Sequence, residues 1–198
     1  MEEIFLATGN RNKIEEFKAL VSDLNITVKS ILDGIIIPEV EETEKTFEGN
    51  SQKKALEISN FLNMIVISDD SGLCVDVLDG RPGVYSARYS GEYADDNKNI
   101  DKIWEELKYY DDIETRKAKF VSVVSIAYPN GDVKSFRGEV DGYVLSERHG
   151  SNGFGYDPIF YSFDLEKSFG EATQSEKKSV SHRARAFLKL KKELCELM

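Results

Sequence analysis

Residues 65–72 read Ile65-Val66-Ile67-Ser68-Asp69-Asp70-Ser71-Gly72, a short β-branched apolar run followed at once by two acids, a hydroxyl and a glycine. An apolar run of this length predicts a buried strand, which we expect to end where the acids begin. Open α/β sheets bind their ligands beyond the carboxyl ends of their strands. The stretch therefore predicts an α/β protein with chemistry at Asp69 and Asp70.

Two adjacent carboxylates repel each other, so such a pair usually has a cation, hydrogen-bond donors or a shared proton nearby. Mg²⁺ suits the pair because it prefers hard oxygen ligands, keeps several waters and bridges one or two carboxylates to substrate phosphates. A simpler interpretation is that Asp69 and Asp70 cap the turn that follows and face water. The two residues alone leave both interpretations open.

A second candidate site follows the first predicted strand, Glu3–Ala7. The sequence Thr8-Gly9-Asn10-Arg11-Asn12-Lys13 then leads into a stretch with apolar residues at helical spacing. A helix start offers backbone N–H groups and the positive end of the dipole to an anion, and Lys13 adds an ammonium. We therefore predict a phosphate-binding loop, although the spacing is not that of a P-loop. Capping of the helix by Asn10 or Asn12 is the alternative.

The middle of the chain alternates strands with helices and then changes to consecutive strands. The Asn130-Gly131 turn predicts a hairpin between two apolar stretches. This change predicts a mixed sheet and a second lobe.

The acid run at residues 39–44 has the composition of a solvated loop, although Glu41 or Glu42 could turn back to share a cation with Asp70. The predicted elements are a strand at 26–31, helices at 46–63 and 95–110, and hairpin strands at 119–128 and 133–140.

Two later stretches have the composition of binding sites. Residues 150–160 combine glycines with Phe154 and Tyr156, which favours a loop that stacks on a planar base, with a plain turn as the alternative. Residues 175–187 place lysines and arginines at the amino end of a C-terminal helix, where the helix dipole opposes them. A bound anion would offset that cost, and pairing with surface acids is the alternative. His182 is by default a structural histidine.

The composition excludes several classes of protein. The chain has 198 residues, which suits one substantial domain or two lobes, and a formal net charge of −10, which argues against wrapping nucleic acid. Its apolar runs are far shorter than the roughly 18 residues that span a bilayer. Cys74 and Cys195 suggest neither a disulfide framework nor a metal knuckle, and no signal peptide precedes the first predicted strand. We therefore expect a cytoplasmic protein.

With these stretches in view, the sequence resembles the inosine/xanthosine triphosphate pyrophosphatase family over nearly the whole chain. Members of this family are house-cleaning enzymes that hydrolyse non-standard purine nucleoside triphosphates. The matching residues are Ala7-Thr8-Gly9-Asn10 with Lys13, Glu42 before Thr46-Phe47, Asn50 with Lys54-Ala55, Asp69-Asp70-Ser71-Gly72, Pro82-Gly83-Val84-Tyr85-Ser86-Ala87-Arg88, Phe154-Gly155-Tyr156-Asp157-Pro158, Glu176-Lys177 and Ser181-His182-Arg183.

The resemblance implies one α/β domain over residues 1–198, elongated and two-lobed, with a mixed central β-sheet flanked by helices and the active site in the cleft between the lobes. It also implies a Mg²⁺-dependent homodimer with no nucleic-acid or membrane partner. Such an enzyme cuts XTP, dITP or ITP between the α- and β-phosphates, and the products are the nucleoside monophosphate and pyrophosphate.

The resemblance also assigns roles to particular residues. Asp70 matches the catalytic aspartate, which orients or deprotonates the attacking water and contacts Mg²⁺, while Glu42 shares the metal and Asp69 is supportive. The triphosphate-binding residues it implies are Thr8, Gly9, Asn10, Arg11, Asn12, Lys13 and Lys54. The base-binding residues it implies are Phe154, Gly155, Tyr156, Asp157, Lys177, His182 and Arg183. Ser71 is also implied to contact the substrate.

The sequence departs from the commonest family pattern in two places. Gly49-Asn50-Ser51 stands where many members have Glu-Asn-Ala, which leaves one carboxylate fewer near the metal, and Ser68 stands where alanine or a second acid is usual.

Two other functions stay open. One is a pyrophosphatase of another modified nucleotide, such as a pyrimidine or a Maf-like substrate, and the other is a nucleotide-binding regulatory module without a water-orienting acid.

Overall fold

The structure, a computed structural model, describes residues 2–91 and 95–196. The strands in these residues are β1 (Glu2–Leu6), β2 (Ile26–Ser30), β3 (Ile65–Val75), β4 (Lys117–Ala127), β5 (Val133–Val144), β6 (Phe160–Ser162) and β7 (Lys167–Ser168). The α-helices are α1 (Arg11–Leu20), α2 (Phe47–Leu62), α3 (Asp96–Leu107), α4 (Gln174–Val180) and α5 (His182–Glu196). None of the helices that the structure describes combines the length and the apolar character needed to cross a bilayer.

The strands form one sheet in the order β2-β1-β3-β4-β5-β6-β7. Strand β1 runs parallel to both of its neighbours, β2 and β3. Strand β6 runs antiparallel to β5 and β7. The predicted α/β class and mixed sheet are therefore confirmed, whereas the elongated shape and the cleft stay predictions.

Strand β3 does not end at the two acids, so that prediction was wrong. It continues through Asp69 and Asp70 to Val75. Side chains alternate between the two faces of a strand, which directs neighbouring carboxylates away from each other. Asp69 pairs with Lys13 of α1, and Asp70 accepts a hydrogen bond from Asn50 of α2. Because each acid has its own partner, the pair does not interrupt the strand.

The chain divides into two compact units, and the described residues of the first fall within 1–70, 123–137 and 185–198. Alternation along β1 divides its core into two layers. Ile4 and Leu6 pack in one hydrophobic cluster with residues of α1 and α5, and Phe5 packs in another with Ile58 of α2. Helices therefore cover both faces of the sheet in this unit, and the two neighbouring acids of β3 meet different helices.

The second unit comprises residues 71–122 and 138–184 and has one hydrophobic cluster. Helix α3 contributes Ile100, Ile103 and Leu107, all buried. Within the cluster the Phe120 ring stacks on Phe169 at 5.8 Å between centroids. This aromatic core supports the glycine-rich stretch before β6.

The predicted C-terminal helix is two helices, α4 and α5, separated at Ser181, whose backbone is extended (φ −61°, ψ 152°). Lys177 and Lys178 therefore lie in the last turn of α4, where the helix dipole favours cations. The prediction that they lie at the start of the terminal helix was wrong. The Ser181 hydroxyl accepts a hydrogen bond from the Ala184 backbone N–H at 3.2 Å, which caps α5.

Candidate active site

The loop at residues 8–13 is organised by Asn10, the N-cap of α1. Its Oδ1 accepts hydrogen bonds from the backbone N–H groups of Asn12 at 3.0 Å and Lys13 at 3.4 Å. The hydroxyl of Thr8 accepts from the Asn10 N–H at 3.2 Å. The capping interpretation therefore describes this structure, and phosphate binding by the loop stays a prediction.

Lys13 and Asp69 form an ion pair with 2.7 Å between Nζ and Oδ2. Only 19% of the lysine side chain and 7% of the aspartate side chain are exposed, so water screens the pair weakly. Asp69 thus fixes the ammonium of Lys13 beside the loop. A phosphate that binds here would share this ammonium with Asp69.

Asp70 is held by an amide from α2. Nδ2 of Asn50 donates to Oδ2 of Asp70 at 3.0 Å, and Oδ1 of Asn50 accepts from the backbone N–H of Glu44 at 2.9 Å. Asn50 is 1% exposed, so its amide cannot turn to bond with bulk water instead. One buried side chain therefore connects the predicted catalytic acid to the acid loop at residues 39–44.

The acid loop is also held by two lysines of α2. Lys53 Nζ donates to the backbone carbonyl of Glu41 at 2.8 Å and to the Thr43 hydroxyl at 3.0 Å. Lys54 Nζ lies 3.5 Å from Oε1 of Glu42. Both neighbours of the predicted metal ligand Glu42 are therefore hydrogen-bonded to α2, Glu41 through its backbone and Thr43 through its side chain.

The carboxylates of Asp70 and Glu42 suit a hard divalent cation whose remaining coordination positions are filled by water or substrate. Across residues 2–91 and 95–196, no three His, Cys, Asp or Glu side chains form a group that could hold a metal alone. Mg²⁺ commonly binds through one or two carboxylates and completes its shell with water and substrate phosphates. Asp70 and Glu42 are both partly exposed carboxylates, so their chemistry suits this mode of binding.

Gly49 stands where the commonest family pattern has glutamate, and the structure shows what its small size permits. A Cβ at this position would lie 2.7 Å from Cβ of Glu44. The acid loop therefore packs against α2 in the space that a side chain at position 49 would occupy. A larger residue there would require Glu44 to move.

Buried hydroxyls attach α2 to the sheet. Oγ of Ser125 lies 2.6 Å from Oγ of Ser51 and 2.8 Å from Oγ of Ser135, and Ser68 donates to the Ser51 carbonyl at 2.6 Å. Ser51 and Ser68 are two of the residues at which this chain departs from the family pattern. They belong to one hydrogen-bonded group that fixes the helix carrying Asn50.

We expect Ser125→Ala to lower the free energy of unfolding by about 1–3 kcal/mol, because it removes a buried hydroxyl that hydrogen-bonds to both Ser51 and Ser135. Urea denaturation monitored by circular dichroism would measure the loss. Ser22→Ala removes an exposed hydroxyl from the same unit and should stay within about 0.5 kcal/mol of the parent. Equal stabilities for the two variants would show that the buried hydroxyls contribute little.

In the second unit, a 3₁₀ turn at Gly83–Arg88 packs against the end of β3. Oγ of Ser86 accepts from the Leu73 N–H at 2.9 Å and donates to the Gly83 carbonyl at 2.7 Å. A Cβ on Gly72 would lie 2.3 Å from that same Oγ, so this close approach requires glycine. The turn therefore fixes the backbone immediately after Ser71.

The predicted base loop has one exposed aromatic ring and one buried one. Phe154 is 60% exposed, whereas Tyr156 is 5% exposed and donates its hydroxyl to the Ser86 carbonyl at 2.8 Å. Burial raises the pKa of Tyr156, which keeps this donor protonated. Phe154 is therefore the ring available to stack on a base, and Tyr156 supports the loop from below.

Asp157 fixes the backbone of this loop. Its Oδ2 accepts from the Phe154 N–H at 2.9 Å and forms an ion pair with Lys177 Nζ at 2.5 Å. The Gly155 N–H donates to Oδ2 of Asp96, in the first turn of α3, at 2.7 Å. Two acids from different elements thus hold consecutive N–H groups, and they set the position of the exposed Phe154 ring.

The last two predicted site residues begin α5. The His182 ring stacks on Phe120 with 4.9 Å between centroids and 15° between planes. Nε of Arg183 is buried. His182 is thus attached to the aromatic core of the second unit, as expected for a structural histidine. A role in reading the base stays a prediction for both residues.

Helix α4, which carries Lys177, begins with a capping box. The Glu176 carboxylate accepts from Lys167 Nζ at 2.7 Å, from the Thr173 N–H at 2.8 Å and from the Thr173 hydroxyl at 2.9 Å. These donors, Lys167 first, lower the pKa of Glu176 from 4.5 to about 2. The ionised form therefore stabilises the folded state.

We expect Glu176→Gln to reduce the acid sensitivity of folding. The folded-state pKa lies below the ordinary value, so the contribution of Glu176 is complete above pH 4.5 and is lost as the pH falls toward about 2. Glutamine does not titrate. Urea denaturation at several pH values across this window should give a shallower decline for the variant, and identical declines would contradict the assignment.

The predicted site residues are divided between the two compact units. The first unit holds Thr8, Gly9, Asn10, Arg11, Asn12, Lys13, Glu42, Lys54 and Asp70. The second holds Ser71, Phe154, Gly155, Tyr156, Asp157, Lys177, His182 and Arg183. The sequence alone gave no role to Asn50, Lys53 or Asp96. The helical spacing of positions 50, 53 and 54 was a signal that these side chains share one face.

Comparison with known proteins gives one consistent family. A model of the Ham1 family matches residues 4–193. A Bacillus anthracis protein named dITP/XTP pyrophosphatase is 47% identical over 198 residues, covering 99% of this chain and 98% of the relative. A Bacillus subtilis protein of the same name is 45% identical over 194 residues, covering 98% of each.

Solved structures agree with this result. The Staphylococcus aureus Ham1 protein has a TM-score of 0.91 and 41% identity, and the match covers 100% of both chains. A Ham1 protein from Coxiella burnetii has a TM-score of 0.93 and 36% identity, covering 99% of this chain and 100% of the other.

Proposed function

The chain belongs to the Ham1 family, and from that premise we propose that it hydrolyses XTP, dITP and ITP to the nucleoside monophosphate and pyrophosphate, which cleanses the nucleotide pool. The observation that carries the proposal is the carboxylate of Asp70, which is fixed by the buried amide of Asn50 in the unit that also holds Lys13 and Lys54. Phosphoryl transfer needs a positioned water, charge neutralisation and little covalent chemistry from the protein.

In the proposed reaction, the oxygen of water bonds to phosphorus, the P–O bond that bridges the α- and β-phosphates breaks, and pyrophosphate leaves. Asp70 orients the water and accepts its proton. Asp70 and Glu42 would hold Mg²⁺, which supplies neutralisation of the phosphate charge when bound. Lys13 and Lys54 bind phosphate oxygens, and their carboxylate partners Asp69 and Glu42 keep the two ammonium groups in position.

Base selection is assigned to the second group of residues. The exposed Phe154 ring stacks on the purine, and Lys177, His182 and Arg183 provide donors for a 6-oxo group. Adenine carries an amino group at this position, so these donors would lose their partner. A site built to hydrogen-bond one group rejects an analogue that lacks it by as much as about 10⁴–10⁵-fold.

We also propose that residues 1–198 act as a single-domain homodimer in the cytoplasm. The family resemblance supports the homodimer, and the composition supports the compartment, since a chain with only two, widely separated cysteines suits a reducing environment. Light scattering on a size-exclusion column should give twice the mass of the 22.4 kDa chain. A single-chain mass at assay concentration would contradict the homodimer.

Product analysis tests the proposed reaction. The protein is incubated with dITP and Mg²⁺, and the products are separated by anion exchange. We expect dIMP and pyrophosphate in equal amounts, and no products once a chelator is added. Formation of dIDP and orthophosphate would show cleavage at the γ-phosphate and would contradict the proposal.

A further inference from the structure

The predicted catalytic acid accepts a hydrogen bond from the buried side chain of Asn50, a residue with no assigned role in the reaction. Both polar atoms of its side chain are engaged, Nδ2 as donor to Asp70 and Oδ1 as acceptor from the Glu44 N–H. An amide is the neutral side chain that offers a donor and an acceptor from one rigid plane. It matches a carboxylate on one side and a backbone N–H on the other.

The Glu44 contact fixes one end of the segment that carries Glu42. Lys53 contacts the residues on both sides of Glu42, through the backbone carbonyl of Glu41 and the side-chain hydroxyl of Thr43. Lys54 lies against the Glu42 carboxylate itself. Residues 50, 53 and 54 are spaced by three and four along α2, so one helix face orients both predicted metal ligands.

We infer that Asn50 is a positioning residue that fixes Asp70 relative to the loop of Glu42, so that the two carboxylates bind one divalent cation together. The inference rests on the proposed function. Mg²⁺ requires near-ideal octahedral geometry at about 2.0–2.1 Å, so ligands that move by a fraction of an ångström bind it less well. Replacing residues that orient metal ligands typically costs about 10–100-fold in metal affinity or activity.

A general loss of packing is the competing explanation, and Asn99 provides the matched control. Asn99 is likewise buried, at 3% exposure, and lies in the first turn of α3 in the second unit. Its Oδ1 accepts from the Ser90 N–H at 2.9 Å, and its Nδ2 donates to the Ala87 carbonyl at 3.3 Å. Replacing it removes the same buried amide, which likewise accepts from a backbone N–H but donates to a backbone carbonyl and not to Asp70.

The experiment compares Asn50→Ala with Asn99→Ala in the full chain. Mn²⁺ binding without substrate is followed by electron paramagnetic resonance, and kcat and KM are measured with dITP and Mg²⁺. For Asn50→Ala we expect the Mn²⁺ Kd to rise about tenfold and kcat to fall about 10–100-fold, with the KM for dITP nearly unchanged. For Asn99→Ala we expect the Mn²⁺ Kd and kcat to match the parent.

Equal effects of the two substitutions, or an unchanged Mn²⁺ Kd in Asn50→Ala, would overturn the inference. If Asn50→Ala does not fold, Asn50→Ser makes the same comparison against Asn99→Ser, because a serine side chain is too short to bridge both partners. Failure of the proposed function is distinguishable, since it would abolish dITP hydrolysis in the parent protein while the Mn²⁺ measurements still test the role of Asn50.

Discussion

Asparagine in place of Asp70 should lower kcat for dITP hydrolysis by about 10²–10⁴-fold, because a positioned general base contributes acceleration of this order. The substitution keeps the shape of the side chain and an oxygen that can accept from Asn50. We therefore expect the fold and the binding of dITP to be retained. Single-turnover assays would measure the chemical step, and calorimetry of the variant with dITP would measure binding.

Asp69→Asn is the matched control for this prediction, since it removes the neighbouring acid from the same strand. Asp69 contacts Lys13 at 2.7 Å, so its loss should act on phosphate binding and raise KM more than it lowers kcat. A variant Asp70→Asn that keeps more than a tenth of the parent kcat would remove Asp70 from the role of base. Equal losses of kcat in both variants would mean that the two acids act as a unit.

The largest expected effect on stability is that of Lys177→Met, which should lower the free energy of unfolding by about 3–5 kcal/mol. The substitution leaves the carboxylate of Asp157, 6% exposed, without its ion-pair partner. Removing one member of a buried pair costs more than the pair itself contributes, because the remaining charge stays desolvated. Urea denaturation of both proteins would measure the difference.

Lys178→Met tests whether the effect belongs to this ion pair or to the loss of any lysine from α4. Lys178 is exposed and lies in the same last turn, so its replacement should change stability by at most about 0.5 kcal/mol. If Lys177→Met were as stable as Lys178→Met, Asp157 would have to be stabilised by other groups, and the rigidity of the Phe154 loop would need another explanation.

Much of the fold followed from local patterns in the sequence. The apolar spacing predicted α2 within one residue at each end, because Thr46 caps it and Asn63 ends it in a left-handed conformation. The Asn130-Gly131 turn correctly separated β4 from β5. These features depend on residues close in the sequence, which is why their periodicity and turn chemistry could be recognised.

The errors arose where distant partners decide the structure. Strand β3 continues through its acids because Lys13 and Asn50 receive them, and these partners lie 56 and 20 residues away in the chain. The break at Ser181 had a local signal that was missed, since Thr173 and Glu176 have the spacing of a capping box that starts a separate short helix. The position of Asn50 between two acid-bearing segments has no counterpart in local pattern, because it depends on how α2 packs.

Base selectivity is the most direct test of the proposed function. Pyrophosphate release is measured with dITP, XTP, ITP, dGTP, dATP and dUTP, each with Mg²⁺ and again with a chelator. We predict metal-dependent hydrolysis of the first three at a kcat/KM several orders of magnitude above that of dATP, because an adenine leaves the donors for a 6-oxo group unpaired. Equal kcat/KM values for all six nucleotides, or faster hydrolysis of dUTP than of dITP, would contradict the proposed function.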